Sequence, residues 1–409
     1  MAAVHSLLKP LSIAWRNWKH ARVMAVLLTF RLLNLALAYL LIIIISKLFL
    51  PNEYVLFEKI TFFLMLGNIF LAPVLISMWH GKVEHLIVEG FLFLIGLSIL
   101  ASLFLLMFTN TIVFTLAASA MVYFFCYYLK ATLYTHLITG KRYYSAYGCN
   151  TLFYVVYICG LAMFAIGAHL DSYLLSFLLF PSLLLILIFL LQWRSLLGNS
   201  WVPSGGAKSF RDFYSIALLA HNVMVLFLVS GERLILESYA HVDVEILAAF
   251  LYLTTIVSAF QSLGISLAEW LRPQIFERLG SNRRMGDLYK IALTMLLMMF
   301  IVFLAAGWPV LSTISTEKVS YFAFYPYFLL LTLTQLVLVV SFFIDLQIVY
   351  RKKYIMLLMA SSAGLLAKVV GYVFFNGLHD LEGVVFANLL GASTFLVFTS
   401  FFVYYLRKN

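Results

Sequence analysis

Twelve apolar runs follow one another along this chain, and nothing else in the sequence restricts its fold as strongly. They lie near 23–49, 57–79, 86–108, 111–133, 147–169, 172–193, 213–237, 244–268, 288–311, 325–349, 353–376 and 383–406. At 1.5 Å per residue, a helix of about 20 residues crosses the ~30 Å hydrocarbon core of a bilayer. Each run is at least that long, and each reads as a membrane-spanning helix. Composition agrees. The 409 residues are 64% hydrophobic and 11% charged, with a mean hydropathy of +1.02. A soluble domain carries roughly 45–50% apolar and 25% charged residues. No water-soluble core hides this much apolar surface, so the sequence predicts an all-α polytopic membrane protein.

The basic residues orient it. With twelve spans both termini share one side, and 21 of the 27 Lys and Arg residues fall there. Among them are Lys9, Arg16, Lys19 and Arg22, then Arg272, Arg278, Arg283 and Arg284, and later Arg351, Lys352 and Lys353. The opposite side keeps only Lys47, Lys59, Arg233 and Lys318. This asymmetry places both termini in the cytoplasm. It also accounts for the net charge of +10 without invoking nucleic acid. The three cysteines, Cys126, Cys149 and Cys159, sit in apolar surroundings without metal-ligand spacing, so neither a disulfide framework nor a zinc site is expected. The first run is too long for a signal peptide and contains Arg31.

Residues 1–22 read as a cytoplasmic amphipathic helix on the membrane surface. Leu8, Leu11, Trp15 and Trp18 share one face, and bases surround it. Residues 23–193 form an expected N-terminal six-helix bundle, 194–212 a cytoplasmic linker and 213–409 a C-terminal six-helix bundle. The linker contains Pro203, Ser204, Gly205 and Gly206, the most turn-rich break between spans. The two bundles echo each other. Residues 22–80 and 211–276 each run from polar residues through an apolar helix to an acidic turn, then return to Trp79 or Trp270. Few letters match, but weak internal symmetry of this kind marks transporters built from two halves. The outer loops are short, the longest about a dozen residues. There is no Walker-type glycine loop, no zinc-protease motif and no nucleophile elbow. Those absences weigh against an ATP-driven pump, a protease or a glycan-modifying enzyme. No cofactor is expected.

Ionisable residues at membrane depth are costly and are functional candidates by default. Arg31 lies about 12 Å into the first span, and Asn34 follows on the same face. His221 and Asn222 occupy the matching depth in the second half. Lys368 sits in the eleventh span, where it either snorkels outward, pairs with an acid or meets a ligand. Glu232 and Arg233 stand near the outer end of the seventh span, paired with each other or with Glu237. Asp345 is the only acid clearly inside a span and is the candidate proton or cation site. Two cations, Arg31 and Lys368, against one anion suggest a cavity suited to an anionic headgroup such as a diphosphate.

The residues of the first span and its turn, Arg31, Asn34, Ser46-Lys47-Leu48 and Leu50-Pro51-Asn52-Glu53-Tyr54, resemble the opening of one known family. This is the polysaccharide-transport branch of the multidrug/oligosaccharidyl-lipid/polysaccharide (MOP) exporter superfamily. The stretch Gly231-Glu232-Arg233-Leu234-Ile235-Leu236 resembles the end of the seventh span in the same branch. The resemblance implies about twelve helices in two pseudo-symmetric six-helix bundles, a MATE/MOP-like fold. It implies an O-antigen or exopolysaccharide flippase in the bacterial inner membrane, moving an undecaprenyl-diphosphate-linked oligosaccharide outward by alternating access. Arg31, Asn34, Lys368, His221, Asn222 and Arg233 become the expected substrate-binding set, with Asp345 coupling a proton or sodium ion. Membrane lipids, and the polymerase and chain-length components of a glycan assembly system, are the expected partners. Peptidoglycan-precursor flippases usually have fourteen spans and more arginines, so that substrate fits less well. The alternatives are a cation-coupled drug or metabolite exporter of the same fold, a membrane polysaccharide polymerase, or a non-transporting scaffold.

Overall fold

The computed structural model describes residues 216–234, 244–281, 285–314, 324–375 and 380–408 continuously, together with scattered helical positions between 29 and 155. Every described regular element is a helix. The continuous part comprises α1 (Ile216–Ser230), α2 (Val244–Gly280), α3 (Gly286–Ile314), α4 (Tyr325–Tyr350), α5 (Tyr354–Phe374) and α6 (Asp380–Lys408). These fall on the last six expected runs. Five helices, α2 to α6, are long and apolar enough to cross a membrane. The amphipathic helix expected at 1–22 and the linker at 194–212 lie outside the described residues.

Two elements differ from expectation. The run at 213–237 was expected as one continuous span, but α1 ends at Ser230 and Gly231 interrupts it before a further helical turn at 232–234. Between the runs at 244–268 and 288–311 the bases Arg272, Arg278, Arg283 and Arg284 read as a loop between spans, yet α2 carries on through much of this stretch. The apolar span of α2 ends at Ala268 and the helix continues to Gly280. Leu271 and Ile275 of that extension are buried with Met285 and Leu288 from the start of α3 and with Phe343 and Leu346 of α4. Apolar contact at the C-terminal end of α2 therefore keeps the helix going where hydropathy along the sequence falls.

Local chemistry explains other boundaries. Pro326 lies in the first turn of α4, where its missing N–H costs nothing. Between α4 and α5 the chain reverses within Arg351-Lys352-Lys353, and Lys352 adopts a left-handed conformation at φ 56°. The Lys352 and Lys353 amides donate to the Val349 and Ile348 carbonyls at 3.0 and 3.2 Å, satisfying the end of α4.

Helix α6 packs most extensively on α5 and α4, and α2 packs on α4. The α5–α6 crossing depends on small residues. A Cβ at Gly364 would lie 2.9 Å from the Gly391 carbonyl oxygen, and one at Gly391 would lie 2.8 Å from Lys368 Cβ. Small residues that let backbones approach this closely replace the hydrophobic drive that lipid removes. By contrast, α3 turns Leu297, Met298, Ile301 and Val302 outward, as a lipid-facing helix does.

The chain divides into two compact units. One comprises Ala220–Asn409 with Leu50–Lys59 and Met1–Met24; the other comprises Ala25–Phe49 and Ile60–Leu219. Residues 50–59, though early in the sequence, thus belong with α1 to α6.

Candidate functional site

The buried polar centre of the first unit forms where α1 breaks. Glu232 and Arg233 are consecutive, yet they point to different partners. The Lys368 Nζ of α5 lies 2.9 Å from Glu232 Oε2, and Arg233 Nη1 lies 2.9 Å from Glu58 Oε2. All four side chains are at most 5% exposed. Lys368 also donates to the Leu228 and Phe227 carbonyls at 2.7 and 3.1 Å. Its three N–H donors are thus matched by three oxygens. The ammonium also stands 5.8 Å from the Tyr372 ring.

Glu58 brings a short cluster of its own. Tyr54, one helical turn earlier, donates its hydroxyl proton to Glu58 Oε1, and Thr255 Oγ1 of α2 donates to the same oxygen at 3.0 Å. The Tyr54 ring stacks on Tyr252 with centroids 3.7 Å apart. Pro51 and Tyr54, expected in a turn, are helical, and Tyr54 and Glu58 meet α2 through the stacked Tyr252 ring and the Thr255 hydroxyl and meet the residues after α1 through the Arg233 ion pair.

Beside these pairs is a small cavity lined by Ser230, Glu232, Arg233, Thr254, Gln335 and Asn388, among others. It has room for about one or two waters. Gln335 Oε1 and Arg233 Nε line it and have no hydrogen-bond partner among the described residues. Tyr372 donates to Asn388 Oδ1 at 3.3 Å.

His221, Asn222 and Asp345 are not partners in these ion pairs. His221 is buried, with Nδ1 3.1 Å from the Leu357 carbonyl and 3.1 Å from Ser361 Oγ, so it joins α1 to α5 by hydrogen bonds. Asn222 is half-buried, and its amide nitrogen has no hydrogen-bond partner among the described residues. Asp345 is buried near the C-terminal end of α4 beside the Thr399 hydroxyl, which donates to the Phe395 carbonyl at 2.8 Å, and neither carboxylate oxygen has a well-formed hydrogen bond among the described residues. Arg31 and Asn34 lie outside the described residues.

The expectation for Glu232 and Arg233 is corrected by this geometry. Among the described residues each pairs with a partner from elsewhere in the sequence and not with the other; Glu237 lies outside the described residues. The charge count changes too. Among the described residues the buried charges are three acids, Glu58, Glu232 and Asp345, and two bases, Arg233 and Lys368. Sequence reasoning missed Glu58 because it falls at the outer end of a run, beside Lys59, where a solvated charge is the ordinary assumption. Its one local signal is Tyr54 four positions earlier, the spacing that brings two side chains together on a helix.

No protein-family model matches the sequence, and no curated protein matches it. Solved structures do. A point mutant of the Vibrio cholerae MATE transporter VcmN superposes with a TM-score of 0.62 at 12% identity, covering 100% of this chain and 99% of that one. The lipid II flippase MurJ, in an inward closed conformation, gives 0.63 at 15% identity over 94% of this chain and 87% of that one. An outward-facing multidrug resistance MATE transporter of the MOP superfamily gives 0.57 at 12% identity, with 95% and 96% covered. The fold is the MATE/MurJ transporter fold. It extends over essentially the whole chain, at identities too low to carry over function or binding residues.

Proposed function

We propose that this chain is a flippase carrying an undecaprenyl-diphosphate-linked oligosaccharide from the cytoplasmic to the outer leaflet of the bacterial inner membrane. Its fold is shared with a lipid-linked flippase and with drug exporters, so the choice rests on the site. The observation that carries it is the internal pairing of Glu58 with Arg233 and of Glu232 with Lys368. Binding a cationic drug at depth needs carboxylates free to receive it. Here two of the three buried acids among the described residues already hold bases of the chain itself. In this proposal Arg31, with Asn34, meets the diphosphate, while the polyprenyl tail stays in lipid. His221, Asn222 and Arg233 adjust as α1 moves, and Asp345 takes the coupling proton or sodium ion.

Asp345 is also the observation that favours a second reading, a cation-coupled drug or metabolite exporter. A buried carboxylate without a matched donor is an expensive group to keep unless something uses it. One experiment separates the two. Depletion of the protein should accumulate a single completed repeat unit on its polyprenyl carrier in the cytoplasmic leaflet, with loss of surface glycan. Unchanged surface glycan, together with sensitisation to cationic dyes that an Asp345→Asn variant cannot reverse, would replace the flippase with the exporter.

A further inference from the structure

The end of α1 has the makings of a cation site. The last four carbonyls of any helix lack intrahelical partners, and the helix dipole concentrates negative potential there. Gly231 stops α1 within the buried core, so the Phe227 and Leu228 carbonyls cannot be satisfied by bulk water. The Phe227 oxygen accepts from the Gly231 amide at 3.0 Å and from Lys368 Nζ at 3.1 Å. Glu232 adds a carboxylate immediately after the break. Two main-chain carbonyls and a carboxylate at an interrupted membrane helix form a donor set suited to a monovalent cation. Lys368 Nζ fills it, with N···O distances of 2.7, 2.9 and 3.1 Å.

An ordinary ion pair would account for the carboxylate alone. Here the ammonium also takes the two helix-end carbonyls, and its stem is held in place. Gly391 lies against Lys368 Cβ, and any side chain there would push the lysine away. An ammonium and a potassium ion have nearly the same radius, so an oxygen cage built for one accepts the other. We propose that the broken end of α1 is a monovalent-cation site which the chain occupies permanently with the Lys368 ammonium. This half of the protein therefore needs no free metal ion at that position, and removing the lysine creates a site for potassium or ammonium. The inference concerns the site alone and holds whatever the cargo.

The test compares wild type with Lys368→Ala in detergent, in choline, lithium, sodium, potassium and ammonium chlorides at constant ionic strength. Thermal unfolding of wild type should be the same in choline, potassium and ammonium. Lys368→Ala should unfold earlier in choline and recover by a few degrees, saturably, in potassium or ammonium, as ligand linkage requires. Adding Glu232→Gln should abolish that recovery. A Lys368→Ala variant whose unfolding is identical in choline and in every alkali salt would overturn the proposal. If that variant cannot be purified in any salt, the wild type decides through equilibrium binding of radioactive sodium and rubidium, the latter standing in for potassium. No saturable binding that depends on Glu232 is expected, and such binding would show that the lysine does not own the site.

Discussion

Glu58 and Arg233 meet at 2.9 Å where neither side chain is more than 4% exposed. A buried ion pair adds little net stability, because desolvation offsets the attraction, but removing one partner strands a charge at a cost of about 3–5 kcal/mol. Glu58→Gln should therefore lower the thermal midpoint of the purified protein clearly. The double variant Glu58→Gln/Arg233→Gln should recover part of that loss, and a thermal-unfolding double-mutant cycle checks both. Asp345 lacks a matched donor, and a neutral amide is cheaper to bury than a carboxylate, so Asp345→Asn should leave abundance and the thermal midpoint no lower than in wild type. Transport should nevertheless fall. Surface glycan measured at matched protein levels would decide it, and normal display would remove Asp345 from the coupling step.

Among the elements, α5 and α6 are the pair most exposed to substitution. Their backbones cross at Gly364 and Gly391 without room for a Cβ. Overpacking a well-filled core costs typically about 1–3 kcal/mol. Gly391→Ala also presses on Lys368, so it should cost stability and disturb the ion pair with Glu232. The yield of monodisperse protein and its thermal midpoint should both drop, whereas Gly286→Ala, at a position with open space around it, should change neither. The extended α2 was not legible from hydropathy, which falls after Ala268. Leu271 and Ile275 continue the helical spacing, but only the arrival of Met285, Leu288 and Phe343 turns that spacing into a buried face.

At the scale of the molecule, the distribution of bases predicts an orientation that a fusion experiment can test. A periplasm-active phosphatase joined after Lys408 should be inactive, while the same enzyme joined near Lys318 should be active. The reverse pattern would invert every assignment of inner and outer ends. The match to MATE and MurJ structures over 94–100% of this chain agrees with the MOP-type fold expected from the first turn and from Gly231-Glu232-Arg233. Those motifs are short, and at 12–15% identity the shared fold does not select a substrate.

The sequence by itself determined the membrane class, the helical character and the positions of the later spans, because lipid imposes one requirement: long apolar runs with internally satisfied backbones. It also marked Lys368, Arg233 and Asp345 as costly residues needing an explanation. Only the tertiary structure decided their partners. Glu58 and Arg233 are 175 positions apart, and Lys368 lies 136 from Glu232, separations at which no local pattern constrains a contact. Charge pairing acts through space, over a few ångströms and in a medium of low dielectric. Which cation meets which acid is therefore set by how the helices pack, and packing depends on the glycines at their crossings and on the helix that stops at Gly231.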